Sequence, residues 1–193
     1  MFKTKKIALV GLSMAALIGG SLVGCGSETV EPEFEQNTSV QTEGFKLAVV
    51  GSQWKNWNPK EAFESADLNF TKQSSGLFTY TVTITSEIAS GWWGFKFVGQ
   101  ADWNPAQYGL EDIDFDSCNA AFKKLVTDKN SDVTDATSYY AKFKGGSSNR
   151  TNISSDALDS KAGAFDITYN PANFWSDEDG HSHKIVVNFT AAA

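Results

Sequence analysis

Leu77 to Ile84 read LFTYTVTI, and the alternation in that stretch decides the fold class. In an extended chain Phe78, Tyr80, Val82 and Ile84 share one face while Thr79, Thr81 and Thr83 share the other, which is the period of a half-buried strand. Working outward, FKLAVVG (Phe45 to Gly51), WGFKFVG (Trp93 to Gly99), GAFDITYN (Gly163 to Asn170) and HKIVVNF (His183 to Phe189) have the same texture. They are rich in β-branched and aromatic residues and bounded by turn formers. The chain therefore predicts one all-β domain over residues 45–190, an Ig-like β-sandwich large enough for a single core. Helix is scarce. NPKEAFESA (Asn58 to Ala66) suits one to two turns with Pro59 at the start. SCNAAFKKLVTDK (Ser117 to Lys129) suits a helix with Ser117 as its cap. The second lies in an irregular region, residues 110–149, that reads as a partly helical insertion between strands.

The N-terminal residues speak to location. MFKTKK carries Lys3, Lys5 and Lys6, an apolar run follows, and Leu22-Val23-Gly24 precedes Cys25. Charge, apolar stretch and small-residue processing site in that order form an export signal rather than a membrane span. The tetrapeptide ending at Cys25 resembles the lipobox of bacterial lipoproteins, which implies a signal peptide over 1–24 and lipidation of Cys25. Residues 25–44, with few large apolar side chains, read as a flexible tether. The expected location is extracytoplasmic, lipid-anchored to a bacterial membrane at the cell surface or in the periplasm. Removing residues 1–24 takes away three of 16 basic residues and none of 23 acidic ones, giving 13 against 23 and a net charge of −10. Such a surface repels phosphate backbones, so nucleic acid is excluded as a partner. With Cys25 acylated only Cys118 remains, so no intrachain disulfide is expected.

Catalytic signatures are missing. There is no Gly-rich phosphate loop and no Gly-x-Ser-x-Gly elbow. Asp177, Asp179, His181 and His183 are close enough in sequence to gather a metal, but a solvated turn before the last strand accounts for them more simply. Asp112, Asp114 and Asp116 in EDIDFDS alternate along an extended segment, yet lack the glycine and distal glutamate of a calcium loop. A polar strand edge is the expected reading. No enzyme activity, metal or cofactor is predicted.

Aromatic residues beside amides and lysine stand out instead. NWNPKEA begins at Asn56 and DWNPAQY at Asp102, and each sets a tryptophan before an Asn-Pro turn. A pyranose ring has an apolar C–H face and a hydroxyl rim, so its binding needs flat rings with hydrogen-bonding neighbours. Trp54, Trp57, Trp92, Trp93, Trp103 and Tyr108 offer rings; Gln53, Asn58, Lys96, Asn104 and Gln107 offer polar groups. Covering about 50 Å² of sugar face contributes on the order of 1.2 kcal/mol per ring. Each ring also has a core reading. Trp93 alternates in register with Phe95 and Phe97, which places it inside, and Trp92 then shares the opposite face with Lys96.

The order KLAVVGSQWKNWNPKEA, GLFTYTVTI, GFKFVGQADWNPAQYG and NRTNISSDALDSKAGAFDITYN resembles the starch-binding domains of SusE/SusF-type outer-membrane lipoproteins. Related modules attached to amylopullulanases are similar too. The resemblance implies a non-catalytic module that binds starch or maltooligosaccharide through two aromatics and a basic residue. Carried onto this chain, these are Trp57 or Trp54, Lys96, and Trp103; with Tyr108 from the ring inventory they complete the expected site. The insertion at 110–149 departs from the pattern. The implied setting is a glycan-uptake or other envelope complex. An alternative from another class is an envelope lipoprotein whose β-sandwich mediates protein–protein contact through the same rings.

Overall fold

The computed structural model describes residues 45–104, 107–144, 149–172 and 183–193. The expectations for residues 1–44, Cys25 included, and for Asp177, Asp179 and His181 lie outside the described residues. The strands are β1 (Ala48–Gly51), β2 (Thr71–Lys72), β3 (Phe78–Ile84), β4 (Gly94–Val98), β5 (Gln107–Tyr108), β6 (Ile153–Ser154), β7 (Gly163–Tyr169) and β8 (Ile185–Ala191). Short helices α1 (Pro59–Glu64), α2 (Ser86–Ala89), α3 (Ala120–Lys129) and α4 (Ala136–Phe143) are set between them. All ladders are antiparallel and make two sheets, β1-β4-β5 with β6 also on β4, and β2-β3-β7-β8. The arrangement is β-sandwich-like.

The period-two pattern of LFTYTVTI fixes which side of β3 meets the core. Phe78, Val82 and Ile84 are buried, whereas Thr81 and Thr83 are exposed. Tyr80 shares the inward face but is half-buried, with its hydroxyl donating to Asp67 O at 2.9 Å and its ring stacked on Phe70. On the outer side Thr81 Oγ1 donates to Asp166 Oδ1 at 2.7 Å across the β3–β7 ladder, a cross-strand pair facing water. The opposing sheet presents Leu47, Val49, Trp93, Phe95 and Phe97 inward. Phe165 of β7 bridges the sheets, 5.8 Å from Trp93 and 6.0 Å from Phe95 between ring centres. Each such side chain contributes roughly 1.5–3 kcal/mol by leaving water.

Residues 110–149 hold both longer helices. The cap of α3 is Asn119, not Ser117: Asn119 Oδ1 accepts from Phe122 N at 2.9 Å, while Ser117 Oγ donates to Asp114. Asn119 Nδ2 also donates to Phe189 O, so one residue starts the helix and ties it to β8. Phe122, Leu125 and Val126 form the buried face of α3, at the spacing of adjacent helical turns. Tyr139 and Phe143 do the same for α4, and Tyr139 stacks on Phe115 at 4.3 Å.

The acidic run does not form a strand edge. Leu110–Asp112 is a 3-10 turn, and its carboxylates turn inward. Glu111 accepts from Thr151 N (2.8 Å to Oε1) and Thr151 Oγ1 (2.5 Å), and Asp112 Oδ2 accepts from Gly109 N (2.9 Å) and pairs with Arg150 Nε (3.2 Å). Buried carboxylates demand such partners, and apart from Gly109 these arrive from residues about 40 positions away in the chain. Asp114 caps the turn at Ser117, and Asp116 is exposed. The three aspartates therefore share no common side.

Candidate functional site

Trp92 and Trp93 enter β4 as consecutive residues, and strand alternation sends them to opposite sides of the sheet. Trp93 is 0% exposed and donates from Nε1 to Ser160 Oγ at 2.9 Å. Trp92 is 47% exposed and lies on the outer face. Its ring covers Gly94, where a Cβ would stand 3.0 Å from Trp92 Cη2, so the glycine lets the indole lie down against the sheet. Asp156 Oδ2 accepts from Trp92 Nε1 at 2.7 Å and fixes the ring's orientation.

A second ring comes from the turn after β1. Lys55, Asn56 and Trp57 have φ of 58°, 44° and 62°, three successive non-glycine residues in the left-handed region. Each such residue costs on the order of 1 kcal/mol, and asparagine tolerates the conformation best. The turn is held by Asn58 N donating to Lys55 O at 2.9 Å and by reciprocal bonds between Gly51 and Trp54. Ser52 N donates to Gly94 O, which ties the turn to the strand below Trp92. Asn58 then caps α1, accepting from Glu61 N at 3.2 Å and donating from Nδ2 to Glu61 Oε1 at 2.8 Å, with Pro59 at the first helical position. The first Trp-Asn-Pro is thus a helix start.

The third ring is Trp103, in the loop between β4 and β5, where Asp102 Oδ1 accepts from Trp103 N. Trp57 stands between the other two. Its ring centre is 6.2 Å from Trp92 with planes tilted by 44°, and 6.5 Å from Trp103 with planes tilted by 40°. Loops from three parts of the chain so make one curved aromatic shelf on the outer face of the β1-β4-β5 sheet.

Lys96 supports this shelf from below. It is only 6% exposed, with Nζ 4.6 Å from the Trp103 ring centre, donating to Gln107 Oε1 at 2.8 Å and Asn149 Oδ1 at 3.2 Å. Burial pushes its pKa down, opposed in part by the Glu111 carboxylate. A cation held over an indole and already hydrogen-bonded is a support for Trp103, not a group reaching into solvent.

The structure does not bring Trp54 or Tyr108 to the shelf. Trp54 packs edge-on against Phe95 at 5.4 Å, toward the core. Tyr108 pairs with Phe97 and so takes the inner face, its ring 5.6 Å from Tyr169, while its neighbour Gln107 turns outward to Lys96. Burial raises the Tyr108 pKa. The expected site set omitted Trp92; its position opposite Trp93 and on the Lys96 face was the signal that could have included it. His183 is buried against Tyr140, at 4.4 Å between rings, and no group of three or more metal-ligating side chains occurs among the described residues. No described helix is long and apolar enough to cross a membrane. No protein-family model, curated protein or solved structure matches the chain.

Proposed function

We propose that this chain is a non-catalytic carbohydrate-binding protein, an Ig-like sandwich lipid-anchored outside the cytoplasm. On this reading it holds starch-like α-glucan on Trp57, Trp92 and Trp103. The observation that carries the reading is the shelf itself: three indoles, each about 6 Å from the next, on the outside of a sheet whose inside is already fully packed. Rings tilted by 40° to 44° follow a curved chain of sugars better than a flat one. Three rings supply a few kcal/mol of stacking before association entropy is subtracted, so affinity falls near the sub-millimolar range. A polymer with many equivalent sites compensates for that weakness.

A protein interface draws on the same residue types. Against it, Trp92 is the one exposed large apolar side chain among the described residues, whereas a protein partner favours a broad apolar patch. The test is migration in native gels containing amylopectin. Retardation of the wild type, lost in the Trp57→Ala/Trp103→Ala double variant with its circular dichroism unchanged, is the expected result. Equal retardation of both proteins overturns the site.

A further inference from the structure

Against Trp92 lies a groove of about 350 Å³, walled by residues of the insertion and by the segment around β6. We infer that this groove is a second sugar subsite, continuous with the shelf, which takes a further pyranose unit of the same neutral glycan chain. The inference rests on the carbohydrate reading above.

Trp92 belongs to both places, since it neighbours Trp57 and also lines the groove. A chain lying across the shelf therefore continues past Trp92 into the groove without leaving the aromatic surface. Phe143 gives the groove a second apolar wall, as a pyranose C–H face requires.

Its polar groups suit hydroxyls. Asn152 lines the groove and has no side-chain partner among the described residues, which leaves a free carbonyl and a free amide group. Asn130 donates from Nδ2 to Val126 O and Ala157 O, leaving Oδ1 to accept. The one cation lining the groove, Lys142, pairs with Asp132 at 2.9 Å, and the Asp156 carboxylate accepts from the neutral Trp92 Nε1–H. An anionic ligand therefore finds no free cation in the lining, whereas the hydroxyls of a neutral polyol can donate to the Asp156 carboxylate and to the Asn130 and Asn152 carbonyls.

The wall is also rigid. Thr151, immediately before Asn152, is clamped by Glu111, and the adjacent Arg150 is paired with buried Asp112. That clamp holds the Asn152 backbone against the insertion, so the subsite is formed before ligand arrives and loses little affinity to ordering.

The test is calorimetric titration of the full chain with maltotriose and maltohexaose. In the wild type the longer ligand is expected to bind more tightly by at least fivefold, a gain of the size of one added hydrogen-bonded sugar. In Asn152→Ala that gain shrinks to the statistical advantage of a longer chain, with maltotriose affinity unchanged. Asn152→Phe, which fills the groove, gives the same outcome. In the wild type, the Asn152 side-chain amide resonances are expected to shift with maltohexaose and stay still with maltotriose. A length gain that survives in both variants, or an Asn152 amide that maltohexaose leaves unmoved, overturns the subsite while the shelf stands. Absence of binding by either sugar to the wild type overturns the carbohydrate reading and the subsite together.

Discussion

The inner and outer faces of β4 are built from the same kinds of ring and behave as opposites. Inside, Trp93, Phe95 and Phe97 are completely buried; Trp93 and Phe95 interlock with Phe165 of the other sheet, and Phe97 packs on Phe95. Outside, Trp92 meets Trp57 and, through it, Trp103, with one ring exposed and two half-buried. The inner rings pack on apolar neighbours, with the Trp93 Nε1–H satisfied by Ser160, and hold the sheets together. The outer rings touch one another and the sheet beneath, and leave a face open to water. Ring type therefore says little about role; the side of the strand decides it.

The strongest way to break this comparison is to truncate the two neighbours. Trp93→Ala should lower stability by about 3–5 kcal/mol in urea titration, because it opens a cavity between the sheets. Trp92→Ala should lower it by no more than about 1.5 kcal/mol, since much of that ring is already in water. Equal losses would mean the faces are not different in kind. Next in size is Asp112→Ala, expected to cost about 3 kcal/mol by leaving Arg150 charged and unpaired beneath the surface. A loss below about 1 kcal/mol would show that this buried pair does not hold the segment carrying Asn152.

Cys118 sharpens the comparison from the core side through pH. Burial pushes its thiol from 9.0 up to about 12 in the folded protein. A raised folded pKa for an acid means its contribution is whole below pH 9 and is lost as pH rises toward 12, where the unfolded chain ionises first. Cys118→Ala should therefore flatten the fall of the urea midpoint between those values. At pH 8 it should cost about 1–2 kcal/mol, because Val187 N loses the sulfur it donates to. An unchanged slope over the alkaline range would show that the thiol is not shielded. The smallest effect belongs to the shelf: Lys55→Gly should raise stability by roughly 0.5–1 kcal/mol by relieving one left-handed residue, with folding otherwise unchanged. Destabilisation there would mean the turn is held differently from the geometry described.

Local pattern made part of this legible beforehand. The alternation in LFTYTVTI and in Trp93-Gly94-Phe95-Lys96-Phe97 gave strands, two-sided sheets and the burial of Trp93, because period-two spacing is a property of the chain itself. Pro59 at a helix start was readable for the same reason. The cap of α3 was misplaced by two residues, since Ser117 and Asn119 are both good caps and only contact with β8 selects the asparagine.

The rest depended on contacts distant in sequence. By itself the sequence determined the five longer strands, β1, β3, β4, β7 and β8, the alternation of faces along them, and a supply of tryptophans beside turns, while the two-residue strands β2, β5 and β6 carried no such pattern. Only the tertiary structure decided that Trp57 joins the shelf while Trp54 packs on Phe95, because a left-handed turn rotates one outward. It alone set Lys96 beneath Trp103, brought Trp92 beside Trp57, and closed Asp112 on Arg150. Spacing along a chain can specify a face, but convergence of separate loops is fixed by sheet register and by which buried charges find partners.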